Sequence, residues 1–252
     1  MIFLQKPIIF AYERHTEKDD VTRLYGLLIC RKGRRSAEIA LSDAVSEKHA
    51  LPYLVFTPNL EMLARAKHDA SVRALLRHAD LLLPDGIGVI LLSHFRVKER
   101  VAGIEIGEYL LTRSAENGYR VFLLGGQEGV ADAATEKLRA RFPTLSVVGT
   151  HHGYFDRDEE KAIVDAIRAA STDILLVCMG FPRQESFLVR NRAGLSGVRV
   201  ALGLGGSLDV WSGRVPRAPA WIQGCGLEWL YRVCRTPNRF PRLLRSAWDI
   251  IR

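Results

Sequence analysis

From residue 53 onward, short apolar runs alternate with stretches in which apolar residues recur at helical spacing. Tyr53 to Phe56 (YLVF) reads as a buried strand, and residues 61–79 place apolar side chains three and four positions apart, which predicts a helix. The runs DLLLP (80–84), RVFLLGG (120–126), SVVGT (146–150), DILLVCMG (173–180) and VRVALGLGG (198–206) predict further buried strands. Helical periodicity lies between them, near 105–117, 130–142, 158–170 and 184–195. This alternation predicts β-α units around a parallel sheet, so the fold class is α/β. The first fifty residues are less regular, and GLLICRKG (26–33) is the one strand expected there.

The pattern changes at GRVPRAP (213–219), where two prolines break the periodicity. A boundary is expected there, between an α/β body over residues 1–213 and a helical appendage over 214–252. The chain has 252 residues, enough for one large domain with such an appendage. With 48% hydrophobic and 25% charged residues, no segment has the composition of a disordered region. Cys30, Cys178, Cys225 and Cys234 form no C-x-x-C pair, and Cys178 sits in an apolar run, so buried thiols in a reducing compartment are expected. The start, MIFLQKPIIFAYERH, lacks the basic lead and cleavage site of a signal peptide, and no apolar run approaches the roughly 18 residues of a spanning helix.

Charge is uneven. The net charge is +8, and residues from Arg214 onward hold eight arginines against Glu228 and Asp249, which is +6 of that total. The arginines interleave with Trp221, Trp229, Tyr231, Phe240 and Trp248. Such a run serves either as a solvated face or as a surface for a polyanion, such as phosphates, headgroups or nucleic acid.

In open α/β sheets ligands bind at the carboxyl ends of the strands. The residues just after the predicted strands are Thr57-Pro58-Asn59, Asp85-Gly86, Gly125-Gly126 and Gly180-Phe181-Pro182-Arg183-Gln184-Glu185. Gly125-Gly126 opens a strand–turn–helix unit that could bring N–H groups to a diphosphate, or could merely turn the chain. It has neither the G-x-G-x-x-G spacing nor a G-K-[ST]. Asp85 is a carboxylate at the mouth of a buried sheet, suited either to general-base work on a hydroxyl or to a plain Asp-Gly turn. Arg100 tips the balance, since a guanidinium suits a diphosphate leaving group. The D-x-D at Asp156-Arg157-Asp158 reads as a helix start rather than a metal site, and His151-His152 as the exit of a strand.

Taken in order, T-P-N (57–59), PDG (84–86), ERVAG (99–103), VFLLGG (121–126), GYF (153–155), G-F-P-R-Q-E (180–185), GGSLDVWSG (205–213), RAP (217–219) and GLEWLYR through P-N-R-F-P-R to 242 closely resemble the WecG/TagA/CpsF glycosyltransferase family. The resemblance covers residues 50–245, and the N-terminal fifty match poorly. It implies an inverting, metal-independent transferase with a Rossmann-like body and a C-terminal appendage. The donor is a UDP-sugar, there is no cofactor, and the acceptor is an undecaprenyl-diphosphate-linked sugar. By the resemblance Asp85 is the base, while Thr57, Asn59, Arg100, Tyr154, Gln184 and Asp209 line the donor pocket beside the Gly125-Gly126 turn. Arg232, Arg239 and Arg242 meet the lipid diphosphate. A cytoplasmic enzyme peripheral on the inner face of an anionic plasma membrane follows, with oligomers that fall apart to the active form and no role for nucleic acid. Members move different sugars, among them N-acetylmannosamine, N-acetylmannosaminuronic acid and glucose. From another class, a non-enzymatic nucleotide- or nucleic-acid-binding module with a basic tail would bind phosphates with a steep salt dependence and no turnover.

Overall fold

The structure, a computed structural model, describes residues 20–219, 221, 222 and 231. It opens with an antiparallel hairpin, β1 (Val21–Leu24) and β2 (Leu27–Cys30). Tyr25 and Gly26 form its two-residue turn with φ of 49° and 78°, the left-handed pair that matches strand twist in tight hairpins. Helix α1 (Arg34–Ser46) follows and buries Ala37, Leu41, Ala44 and Val45. The expected strand at 26–33 is β2, whereas β1 and α1 were not anticipated.

The predicted α/β architecture is present. Strands β3 (Tyr53–Phe56), β4 (Leu81–Leu82), β5 (Arg120–Gly125), β6 (Ser146–His151), β7 (Ile174–Cys178) and β8 (Val200–Gly203) form a six-stranded sheet. Its order is β4-β3-β8-β7-β5-β6, and every pairing is parallel. Helices α2 (Leu60–His68), α3 (Ala70–Leu76), α4 (Ile87–Leu92), α5 (Gly103–Asn117), α6 (Val130–Arg141), α7 (Glu160–Ala169), α8 (Arg183–Asn191) and α9 (Ser207–Trp211) connect and cover it. The helix expected over 61–79 is divided at Asp69. That carboxylate accepts from the Ser71 N–H at 2.8 Å and the Ser71 hydroxyl at 2.6 Å, which caps α3 afresh and ends α2.

Alternation along the strands sorts the core into two layers. Val55, Val121, Leu123, Ile174, Leu176, Val200 and Leu202 face α1, α5, α6 and α9. Leu54, Phe56, Phe122, Leu124, Leu175, Val177 and Ala201 face the hairpin, α2, α3, α4, α7 and α8. Both faces are buried, which is why these strands read as continuous apolar runs rather than as alternating ones. Each fully buried Leu or Phe stabilises the fold by roughly 1.5–3 kcal/mol. The neighbouring strands β5 and β7 send α6 and α8 to opposite faces, which opens a crevice at their carboxyl ends.

No helix among the described residues is long and apolar enough to cross a membrane. Just past the expected boundary, residues 214–219 stay on the body. The Val215 N–H donates to the Asp209 carbonyl at 3.0 Å, Arg217 pairs with Glu105 (3.2 Å) and Glu108 (3.5 Å), and Ala218 is buried. Arg232, Arg239 and Arg242 lie outside the described residues.

Candidate active site

The loops leaving the carboxyl ends of the strands are stitched to one another mainly through backbone. The Asp85 N–H donates to the Pro58 carbonyl at 3.0 Å, and the Val101 N–H to the Pro84 carbonyl at 2.7 Å. The T-P-N, P-D-G and R-V-A-G motifs are thereby joined at the ends of β3 and β4. Thr57 is buried there, its hydroxyl donating to the Gly203 carbonyl at 3.2 Å. Gly103, the first residue of α5, packs so close that an added Cβ would lie 3.1 Å from the Thr57 hydroxyl oxygen. Asn59 is exposed and caps α2, its side-chain oxygen accepting from the Met62 N–H at 3.1 Å. Asp85 stands partly exposed at the mouth of this cluster.

Arg100 closes the same group. Its guanidinium lies 3.7 Å from Glu105, which also pairs with Arg34 at 3.5 Å and with Arg217 at 3.2 Å. Glu105 thus links Arg100 to Arg217, just past the expected boundary. Sequence reasoning missed it, although its place two positions after the V-A-G motif was a usable signal.

A second stitched group sits at the ends of β7 and β8. The Gln184 side-chain oxygen accepts from the Gly180 N–H at 3.2 Å and the Gly205 N–H at 2.9 Å, and its amide donates to Glu185 at 2.8 Å. Gln184 is buried, so it fixes the loops after β7 and β8 to each other beside the crevice. Gly203 is glycine for a local reason, because a Cβ there would come within 2.8 Å of the Gln184 amide. Glu185 was quoted only as part of a motif, yet it is wholly buried, and one of its carboxylate oxygens has no hydrogen-bond partner. Burial pushes its pKa up to about 7, against the opposing hydrogen bond from Gln184. Asp209, in the first turn of α9, is partly exposed beside the Gly205-Gly206 turn.

At β5, Gly125 has φ of 140°, and a Cβ would fall 2.2 Å from the Cys178 carbonyl oxygen. The Gly126 N–H donates to that carbonyl at 3.1 Å, and its own carbonyl accepts from the Gly153 N–H at 2.8 Å. These glycines therefore allow a close crossing of backbones, with the Gly126 N–H already used inside the protein. That crossing carries the chain after β6 back toward α8, where the Arg183 guanidinium sits 5.8 Å from the exposed Tyr154 ring and donates to the Phe155 carbonyl at 2.7 Å. The Cys178 thiol, at the end of β7, is pushed up to about 12 by burial and stays protonated.

The two decoys resolve as helix and strand termini. Asp156 forms a reciprocal capping box with Glu159, whose carboxylate accepts from the Asp156 N–H at 2.7 Å. His151 ends β6, and its ring meets the His152 carbonyl at 2.8 Å. Among the described residues no group of His, Cys, Asp and Glu has the geometry of a metal site.

The structure thus gathers Thr57, Asn59, Asp85 and Arg100 at β3 and β4, joins them through Gly203 to Gln184, and brings Tyr154 over from β6. The model of the family described as glycosyl transferase WecG/TagA/CpsF matches residues 25–252. A Bacillus subtilis protein, N-acetylglucosaminyldiphosphoundecaprenol N-acetyl-beta-D-mannosaminyltransferase, is 33% identical over 205 residues, covering 79% of each chain. A Bacillus spizizenii protein of the same name is 35% identical over 193 residues, covering 75% of this chain and 74% of its own.

Proposed function

Because the chain belongs to the WecG/TagA/CpsF glycosyl transferase family, we propose that it moves a sugar from a UDP-sugar to a polyprenyl-diphosphate-linked saccharide, with inversion and without metal or cofactor. The names of the two relatives favour an N-acetylmannosaminyl group as the sugar and N-acetylglucosaminyl-diphosphoundecaprenol as the acceptor. The observation that carries the mechanism is the position of Asp85, whose backbone is tied to the Thr57-Pro58-Asn59 loop while Arg100 lies one residue from the strand-end contact of Val101.

The donor lies across the strand ends. The Asp85 carboxylate takes the proton from an acceptor hydroxyl, and that oxygen attacks the anomeric carbon on the face opposite UDP. The bond to the diphosphate breaks, and its electron pair leaves with UDP, whose charge Arg100 neutralises. Gln184 holds the β7 and β8 loops in register for the donor. Arg232, Arg239 and Arg242 are assigned to the acceptor's diphosphate, and the appendage excludes water that would hydrolyse the donor. Oligomers that dissociate at an anionic membrane surface fit this arrangement. Family membership favours turnover over the alternative of a phosphate-gripping module.

Transfer is tested with purified protein, a panel of UDP-sugars and a polyprenyl-diphosphate-linked N-acetylglucosamine, read as UDP release and product mass. A thermal-shift panel of UDP, GDP, NAD and an oligonucleotide accompanies it, since a ligand at a hundred times its Kd stabilises by about 2.7 kcal/mol. A chain ended after Pro219 keeps the contacts to α5, so it should fold, respond to UDP, and fail to transfer to the lipid acceptor. Preference for the oligonucleotide, with no turnover of any UDP-sugar, would refute the reading.

A further inference from the structure

Between Asp85 and Arg100 the chain leaves the carboxyl edge of the sheet and returns to it, and the Val101-to-Pro84 hydrogen bond sets the two ends side by side. The excursion contains α4 and the turn that follows. Leu91 and Phe95, four positions apart, are 54% and 65% exposed. From Ile87 to Lys98 there is no acidic residue, while His94, Arg96 and Lys98 are all exposed. The exposed anion of the excursion, Glu99, is engaged by the Arg34 N–H at 3.0 Å, so an exposed apolar pair on a segment that also carries Arg96 and Lys98 matches the charge and polarity of an anionic bilayer interface.

The turn is also rigid. His94 and Phe95 have φ of 50° and 59°, a left-handed pair that a bulky aromatic adopts at a steric cost glycine would avoid. The turn is fastened by the Phe95 N–H to the Ile90 carbonyl (3.1 Å), and by the Ser93 hydroxyl, which accepts from the Val97 N–H (3.0 Å) and donates to the Ile90 carbonyl (2.7 Å). Val97 is buried and anchors the segment, and the Arg31 side chain donates to the Arg96 carbonyl at 3.1 Å. A strained backbone held this firmly, with its aromatic ring in solvent, points to a use outside the folded chain.

We propose that Leu91 and Phe95 form a bilayer-contact tip. The two side chains enter the boundary between headgroups and acyl chains, with Arg96 and Lys98 on lipid phosphates. The inference rests on the lipid-linked acceptor proposed above, and it seats Asp85 and Arg100, the two ends of the excursion, over a diphosphate held at the membrane surface.

The test uses full-length protein and vesicles of phosphatidylglycerol and phosphatidylcholine. Phe95→Gly suits the left-handed backbone, so it should melt no lower than the unsubstituted protein, yet co-sediment about fivefold less with these vesicles. Transfer to a water-soluble, short-chain acceptor should be unchanged. As an independent probe, nitrobenzoxadiazole is attached at Phe95→Cys in a Cys225→Ser/Cys234→Ser background, Cys30 and Cys178 being buried. Its emission should shift to the blue only when vesicles are added. Equal sedimentation of Phe95→Gly would overturn the tip. So would a label already blue-shifted without vesicles, whether at every concentration, as for a cover by the chain itself, or only at high concentration, as for a second copy. Absence of any sugar transfer by the unsubstituted protein would instead sink the functional reading, leaving the sedimentation and fluorescence results to decide the tip.

Discussion

At the amino-terminal edge of the sheet, Asp173 sits between Arg120 (3.0 Å) and Arg199 (3.1 Å), and Asp80 sits against Arg192. Each of these aspartates immediately precedes a strand and also accepts a backbone N–H, from Arg120 at 2.9 Å and from Leu54 at 2.7 Å. At the carboxyl edge the loops are tied by main-chain bonds, by the buried Thr57 hydroxyl and Gln184 amide, and by the ion pairs of Glu105 with Arg34, Arg100 and Arg217, while Asn59, Asp85 and Asp209 keep part of their surface in solvent. One edge uses side-chain charge to hold strands together. The other holds its loops mainly through backbone, and its charged pairs centre on the one carboxylate of Glu105. The division predicts that carboxylates at the two edges fail in different ways when altered.

The largest effect should come from Asp85→Asn. It keeps the shape and removes the proposed base, so kcat should fall by roughly a hundredfold or more while UDP affinity and melting temperature stay close to those of the unsubstituted protein. Near-normal turnover would erase the difference between the edges.

Glu185 is a carboxylate at the carboxyl edge that departs from this pattern, being buried and without full hydrogen bonding. Its pKa is raised by burial from 4.5 to about 7. Between those values the folded protein keeps a proton that the unfolded chain has released, so the contribution of Glu185 to stability is fully present below pH 4.5 and is lost as pH rises through about 7. Glu185→Gln retains the acceptor for Gln184 and removes the titration. Compared with the unsubstituted protein it should flatten the pH dependence and gain stability at pH 8, by up to about 3 kcal/mol. Urea unfolding at pH 5 and pH 8 reads this directly, and identical slopes in the two proteins would show that the carboxyl does not titrate in the fold.

What the sequence disclosed follows the same physics. Strands buried on both faces announce themselves as apolar runs, so the whole parallel sheet was legible, whereas Pro-Asp-Gly after a strand left Asp85 open between a base and a plain turn until Arg100 was added. The hairpin was not legible, because β1 (VTRL) mixes polar and apolar residues too briefly to set a period. For Glu105 the sequence held only its place after the V-A-G motif, since its pairing with Arg217 spans 112 positions. Glu185 is similar, since its partner Gln184 is fixed by Gly205, 21 positions on.

At the amino edge, Asp173→Ala should leave kcat untouched and lower stability by about 2 kcal/mol, since it releases two guanidiniums and the part-buried Arg120 N–H. Burial alone would raise the Asp173 pKa, but the hydrogen bonds and charges of Arg120 and the charge of Arg199 hold it below the ordinary range. Its contribution is therefore present above the unfolded value and is lost as pH falls through the folded one. Thermal melts at pH 7 and pH 3 separate the cases, because the variant's deficit should shrink at the lower pH. A deficit equal at both would assign the loss to packing rather than to charge.

The smallest effect sharpens the comparison most, because Asp156 and Asp158 follow β6 at the carboxyl edge and still read as structural. Two carboxylates in a D-x-D could hold a divalent ion on a nucleotide diphosphate, and the competing demand is the capping box in which Asp156 and Glu159 satisfy each other's N–H groups. A side chain spent on a cap contributes about 1 kcal/mol, so Asp156→Ala should lower the melting temperature by a few degrees without changing kcat. Excess EDTA should leave transfer intact for the same reason. The two measurements can disagree in only one informative way: activity lost in EDTA and restored by magnesium or manganese, together with a collapse of kcat in Asp156→Ala. That outcome would move Asp156 from the capping role to the donor diphosphate, and would place a metal where the mechanism above relies on Arg100.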